Sequence, residues 1–214
     1  VTCCQLSFFH GTKNIIENLN CEFQRGEINF LIGPNGAGKS TLAWIIARLL
    51  SPSDGDILID GERLHEFDAD TWREGIGWVA QDTRVSAGTI RQNLLFGTGD
   101  RKDNELLLAC QNAGLMPFLN ARNGLDTNVG YEGQKMSGGE RRRLAIARVL
   151  ITNPRILILD EPLTHLDAEG GVELCELLAS LSSEHLVIVI THDRTWINDT
   201  GCIVELSKSR RNDV

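Results

Sequence analysis

No Cys-x-x-Cys pair occurs in this sequence, although it holds six cysteines, at positions 3, 4, 21, 110, 175 and 202. Without ligand spacing they offer no zinc or redox motif and are expected to be reduced thiols, as in a cytosolic compartment. Any apolar run approaching the ~18 residues of a bilayer-spanning helix is also missing, as is a cationic-then-apolar leader. The expectation is a water-soluble polypeptide that can still serve a membrane through a partner. Basic residues are in deficit, 21 Lys and Arg against 29 Asp and Glu, for a net charge of −8. That balance argues against nucleic acid as the main partner, and the run Arg141 to Arg143 reads as a solvated helix face. There is no internal repeat, no low-complexity tract and no long coiled-coil insertion.

What is present is 42% apolar residues in a chain of 214, enough for one compact domain with a sub-lobe. "INFLI" at 28–32 reads as a buried strand ended by Gly33-Pro34. Leu42, Ile45, Ile46, Leu49 and Leu50 then recur at helical spacing, which predicts an amphipathic helix over 39–50. "ILI" at 57–59, followed by Asp-Gly, predicts a strand entering a tight turn. "IGWVA" (76–80), "ILIL" (156–159) and "LVIVI" (186–190) complete a set of unalternating runs that fits a parallel sheet covered on both faces. Residues 89–150 carry helical pattern and loops. The division expected is a core of 1–83 and 155–214 with a helical lobe, 84–154, inserted between two strands. The tail from Ser207 to Val214 is polar and expected to fray.

Three motifs carry chemistry. "GPNGAGKST" (Gly33, Pro34, Asn35, Gly36, Ala37, Gly38, Lys39, Ser40, Thr41) lies between a predicted strand and a predicted helix, the arrangement of a phosphate loop. Its backbone N–H groups cradle a β-phosphate, Lys39 neutralises β/γ charge and the Ser40 hydroxyl ligates Mg²⁺. "ILILDEP" places Asp160 and Glu161 at the end of an apolar strand, Asp160 for the magnesium shell and Glu161 to accept a proton from an attacking water. "KMSGGERRR" is a second small-residue loop opening a helix. Ser137 and Glu140 there form a capping box, and Gly138 and Gly139 leave N–H groups free to meet an anion.

Together these motifs resemble the nucleotide-binding domain of ATP-binding cassette (ABC) proteins, over nearly the whole chain and in the family order. The resemblance implies an α/β P-loop NTPase fold of the RecA-like kind. It would hold a mostly parallel sheet, an N-terminal antiparallel β part and an inserted α-helical subdomain. It also implies ATP and Mg²⁺ as cofactors and a twofold pair of domains, each signature loop (Ser137 to Glu140) reaching the γ-phosphate held by the other. Gln81 in "VAQD" is similar to the Q-loop glutamine that contacts Mg²⁺ and the attacking water. His192 in "ITHD" is similar to the switch histidine, and Asp167 in "THLD" to the D-loop aspartate that contacts the partner. His10 stands where the family usually carries the tyrosine that stacks on adenine, with Phe9 beside it. Departures from the family are Met136 and Glu140 where Leu and Gln are commonest, Tyr131-Glu132 where Glu-Arg is frequent, and Asp193 where exporters more often have Arg.

"GTIRQNLLFG" (88–97) and "GLDTNVGYEGQKMSGGE" (124–140) resemble the exporter branch. This implies an ATPase that powers a membrane exporter from the cytoplasmic face, with transmembrane domains as partners. An importer or lipoprotein-release subunit, a soluble ABC ATPase, and a switch that scarcely turns over are the other readings the sequence leaves open.

Overall fold

A computed structural model describes residues 1–164, 166–197 and 201–207. His165 and the tail after Ser207, for which fraying was expected, lie outside the described residues. The chain opens with strands β1 (Thr2–His10) and β2 (Lys13–Glu22), an antiparallel hairpin in which His10 faces Lys13 across Gly11 and Thr12. Strand β3 (Ile28–Ile32) leads through the glycine-rich loop into helix α1 (Lys39–Ile46). Strands β4 (Asp54–Ile59) and β5 (Glu62–Arg63) follow, then helix α2 (Ala69–Glu74) and strand β6 (Ile76–Val79). Next come four helices, α3 (Ile90–Leu95), α4 (Asp103–Asn112), α5 (Met116–Asn120) and α6 (Gly138–Leu150). Strand β7 (Ile156–Asp160), helix α7 (Ala168–Leu181) and strands β8 (Leu186–Thr191) and β9 (Cys202–Glu205) complete the described chain.

Two sheets result. A four-stranded sheet has the order β2-β1-β4-β5, and every adjacent pair in it is antiparallel. A five-stranded sheet has the order β6-β7-β8-β3-β9, and every adjacent pair in it is parallel. The apolar runs are continuous because the parallel sheet is covered on both faces, and successive side chains alternate between two cores. Phe30, Leu157, Leu159, Val187 and Val189 face a core built with α6, α7 and the helical region. Leu31, Ile156, Ile158, Ile188 and Ile190 face a second core shared with α1 and the antiparallel sheet. Ile188 is fully buried, so its truncation to Ala is expected to cost about 2–5 kcal/mol. The one polar residue within β3, Asn29, is buried but satisfied: Nδ2 donates to the carbonyls of Gln24 and Val187 at 2.8 and 3.1 Å, and Oδ1 accepts from Gln24 N at 2.7 Å.

Two expectations are corrected. The helix predicted over 39–50 ends at Ile46, because Arg48 takes a left-handed turn (φ +54°) and its guanidinium bonds the Phe67 carbonyl. Leu49 is consequently 58% exposed instead of extending the buried stripe. The 57–59 run does enter a tight turn, at Asp60-Gly61, but its strand joins the antiparallel sheet, not the parallel one. Strand β9 had no apolar run to announce it; only Val204 of its residues is buried. Between β6 and β7 the described residues form helices and short turns, with one isolated antiparallel bridge, Thr89 to Asn128. Helix α6 there packs on α3, α4 and β6.

Candidate functional site

The register of the parallel sheet decides which side chains meet. Val79 is level with Leu159, Asp160 with Ile190, and Ile32 with Thr191. The residues just past these strand ends therefore share one edge: Gln81 after β6, Glu161 after β7, His192 after β8 and the loop from Gly33 after β3. The carboxyl edge of a parallel sheet is where ligands bind in open α/β folds.

The loop from Gly33 to Gly38 is shaped by contacts only glycine allows. Gly33 has φ +150°, and a Cβ there would lie 2.3 Å from the Leu206 carbonyl oxygen, on the chain just beyond β9. Gly38 caps α1 with no side-chain hydrogen bond, so the first-turn N–H groups of α1 are left for another acceptor. A Cβ at Gly38 would sit 3.2 Å from atoms of Ile15 and Ile16, which sets the β1–β2 hairpin against this loop. Lys39, 8% exposed, folds back and donates from Nζ to the Gly33 carbonyl at 2.7 Å and the Pro34 carbonyl at 3.3 Å. Ser40 and Thr41 are half-buried; Asn35 and Gly36 are exposed.

Asp160 ends β7 half-buried. Burial holds its carboxyl above the usual carboxylate range, the Glu161 charge adds to this, and Lys39 opposes it. Glu161 takes a left-handed backbone (φ +47°), unusual for a residue with a side chain, and its N–H donates to the Ile190 carbonyl at 2.8 Å. The residue is 7% exposed. Oε1 accepts from His192 N at 3.1 Å and lies 2.6 Å from His192 Nδ1. Oε2 accepts from Thr191 Oγ1 at 3.1 Å and, more weakly, from Thr164 Oγ1 at 3.4 Å. Thr164 and Thr191 were not singled out from the sequence. Their signal was position, flanking Glu161 and His192 in "EPLTH" and "ITHD". Gln81 is exposed at its strand end.

The second loop lies elsewhere. Ser137 Oγ accepts from Glu140 N at 3.1 Å while Glu140 Oε2 accepts from Ser137 N at 2.7 Å, so the capping box is complete. Asp167 caps α7, accepting from Gly170 N at 2.9 Å. Ser137, Gly138, Gly139, Glu140 and Asp167 line one open cleft of about 430 Å³, and no residue of 33–41 lines it. A Cβ placed on Gly138 or Gly139 meets nothing within 4 Å. Among the described residues no contact demands glycine at these two helical positions, where it costs up to about 1 kcal/mol relative to alanine. Arg142 Nη1 donates to the Thr164 carbonyl at 3.3 Å, tying the signature helix to the turn after Glu161.

His10 ends β1 exposed at the hairpin tip, with Phe9 46% exposed and Phe8 half-buried. No group of three His, Cys, Asp or Glu among the described residues is arranged to hold a metal ion. The protein donors that suit Mg²⁺ taken with a nucleotide are a hydroxyl and one carboxylate, the cation keeping waters and phosphates as its other ligands; Ser40 follows Lys39, whose charge acts on Asp160.

Fold and site thus define a P-loop NTPase of the ABC ATPase type. The family description "ABC transporter" matches residues 16–164, and the chain belongs to that family. It is 37% identical over 204 residues to a multidrug resistance ABC transporter ATP-binding and permease protein of Lactococcus lactis, covering 94% of this chain and 35% of that protein. It is 34% identical over 206 residues to an ATP-dependent lipid A-core flippase of Desulfotalea psychrophila, covering 96% of this chain and 36% of the relative. A bacterial Atm1-family ABC exporter solved with ATP bound superposes with a TM-score of 0.82 at 32% identity, over 98% of this chain and 37% of that one. The chain spans about a third of the length of these relatives. No helix among its described residues is long and apolar enough to cross a membrane.

Proposed function

We propose that this chain binds and hydrolyses ATP to drive an exporter, working as one of two nucleotide-binding domains clasped around two ATP molecules. The observation that carries the reading is the open space over Gly138 and Gly139. Two glycines at a helix N-terminus with open space above them fit close approach by an anion held on another chain, since no residue of the phosphate loop at 33–41 lines their cleft.

In this reading the N–H groups of 33–38 and the first turn of α1 hold the β- and γ-phosphates. Lys39 leaves its loop carbonyls to pair with them, and His10 stacks on the adenine. Ser40, Asp160 and Gln81 would hold Mg²⁺, which would supply neutralisation of the phosphate charge. Glu161 orients and deprotonates the water, and the proton goes to Oε2, whose 3.4 Å contact with Thr164 is the longest of the four the carboxylate makes. His192, its Nδ1 fixed by Glu161, turns Nε2 toward the γ-phosphate, to which it donates when the ring carries both protons. The partner's Ser137 hydroxyl and signature N–H groups share the γ-phosphate charge, and Asp167 contacts the partner. Catalysis is then positioning and charge stabilisation around an in-line attack.

The division into a core of 1–83 and 155–214 and a lobe of 84–154 belongs to this proposal, with Gln81 at the hinge reporting the γ-phosphate to the lobe. Closure of the pair would move the lobes against transmembrane domains at the cytoplasmic face of the inner membrane. The similarity to a multidrug resistance transporter, a lipid A-core flippase and an Atm1-family exporter favours export over import. The Glu161→Gln variant tests the assignment: ATP affinity is retained, phosphate release falls by at least about a hundredfold, and a stable dimer forms with ATP on size-exclusion chromatography with light scattering. Undiminished turnover sinks the general-base role.

A further inference from the structure

Four of the six cysteines, Cys3, Cys4, Cys21 and Cys202, lie in one corner of the molecule, and the ATPase reading uses none of them. In the β1–β2 hairpin Cys3 is the direct cross-strand partner of Cys21. Directly opposed residues of an antiparallel pair project from the same face with Cα atoms about 4.5–5.5 Å apart. A disulfide accepts Cα separations of about 4.4–6.8 Å. Cys3 is buried and Cys21 half-buried, and both are free thiols. Cys4 projects to the opposite face, its partner being Asp56 on β4. Cys202, on β9, donates from Sγ to the Glu22 carbonyl at 3.5 Å.

We infer that Cys3 and Cys21 form an oxidisable dithiol, a modification site that a peroxide converts to a disulfide stapling β1 to β2. The less buried Cys21 sulfur attacks the peroxide O–O bond as thiolate, forming a sulfenic acid and releasing hydroxide, which takes up the thiol proton as water. The Cys3 sulfur then attacks the Cys21 sulfur, forming the S–S bond. The hydroxyl leaves with the Cys3 proton as a second water, so two thiols are oxidised and one peroxide is reduced. The electrostatics agree with this order. Interaction between the two thiols pushes Cys3 up, with burial adding to it, and holds Cys21 below the usual thiol range against its own burial. Strand β2 is the edge of its sheet, so it can move in by the roughly 1 Å that bond closure asks of the Cβ atoms.

The test is hydrogen peroxide titration of the full chain, followed by tryptic mapping without reductant. The expected product joins residues 1–13 to residues 14–25. It persists in Cys4→Ser and Cys202→Ser, and is lost in Cys21→Ser and in both Cys3→Ser and the closely packing Cys3→Ala. The oxidised chain melts higher by on the order of 5 °C, reversed by dithiothreitol. A Cys21–Cys202 link, a 1–13 to 14–25 link that survives Cys3→Ala, or sulfinic acid on Cys21 with no link overturns the inference.

Discussion

His192 Nδ1 lies 2.6 Å from Glu161 Oε1, so two residues 31 positions apart in sequence form one unit at the sheet edge. A carboxylate has only acceptors when ionised, so the contact fixes Nδ1 as the donor and leaves Nε2 as the free ring nitrogen. The same carboxylate oxygen also takes the His192 backbone N–H, which holds the strand-end turn and the ring together. His192→Ala is therefore expected to lower phosphate release by about a hundredfold while ATP affinity stays within about threefold. Steady-state phosphate release and calorimetric titration check the two halves. An equal loss of affinity and turnover would mean the ring acts in binding instead.

Lys39 donates to the carbonyls of Gly33 and Pro34, so its removal takes a charged donor from the phosphate loop without unpacking a core. Lys39→Ala is expected to weaken ATP binding by roughly 10–100-fold, with the melting temperature of the nucleotide-free chain little changed. Unaltered affinity by calorimetry contradicts the assignment.

Gly138 sits at the start of a helix with open space above it. Gly138→Leu should hold or raise the stability of the isolated chain, by up to about 1 kcal/mol, and leave ATP binding intact. Hydrolysis should nonetheless drop at least tenfold, because the new side chain meets the partner's nucleotide. Thermal melts and phosphate release on one preparation read both. A gain in stability with full activity refutes the close approach.

Asp160 supplies a pH-dependent term. Its folded-state pKa is raised, by burial first, so at neutral pH the ionised carboxylate weighs against the fold. That destabilisation is absent below the unfolded pKa and grows as pH rises through the folded one. Asp160→Asn should accordingly raise the melting temperature of the nucleotide-free chain at neutral pH by on the order of a degree. The difference should vanish in acid, and the variant should bind MgATP more weakly. A melting difference that grows toward acid pH would reverse the sign of this term.

Much of this was legible in the sequence because the parallel strands are buried on both faces, where continuous apolar runs such as "LVIVI" announce themselves. The phosphate loop, "DEP" and the signature could likewise be placed on elements, since their chemistry demands particular residue types at strand ends and helix starts. What was not legible depends on long-range contact. Helix α1 stops early because Arg48 finds the Phe67 carbonyl, and β9 is held by pairing with β3 despite having one buried residue. The threonines that hold Glu161 come from the turn after β7 (Thr164) and from the last position of β8 (Thr191), and nothing in their local pattern marks either as a partner of that carboxylate.

The account's central claim is that each ATP needs residues from two chains, and mixing two defective variants addresses it directly. Ser137→Arg removes the loop offered to the neighbour, and Glu161→Gln removes the base kept for the chain's own ATP, so each variant alone should be nearly inactive. An equimolar mixture should recover roughly a quarter of normal activity, since random pairing makes half the dimers mixed and gives each one intact site. A mixture as inactive as its components, or a Ser137→Arg chain fully active alone, contradicts the claim.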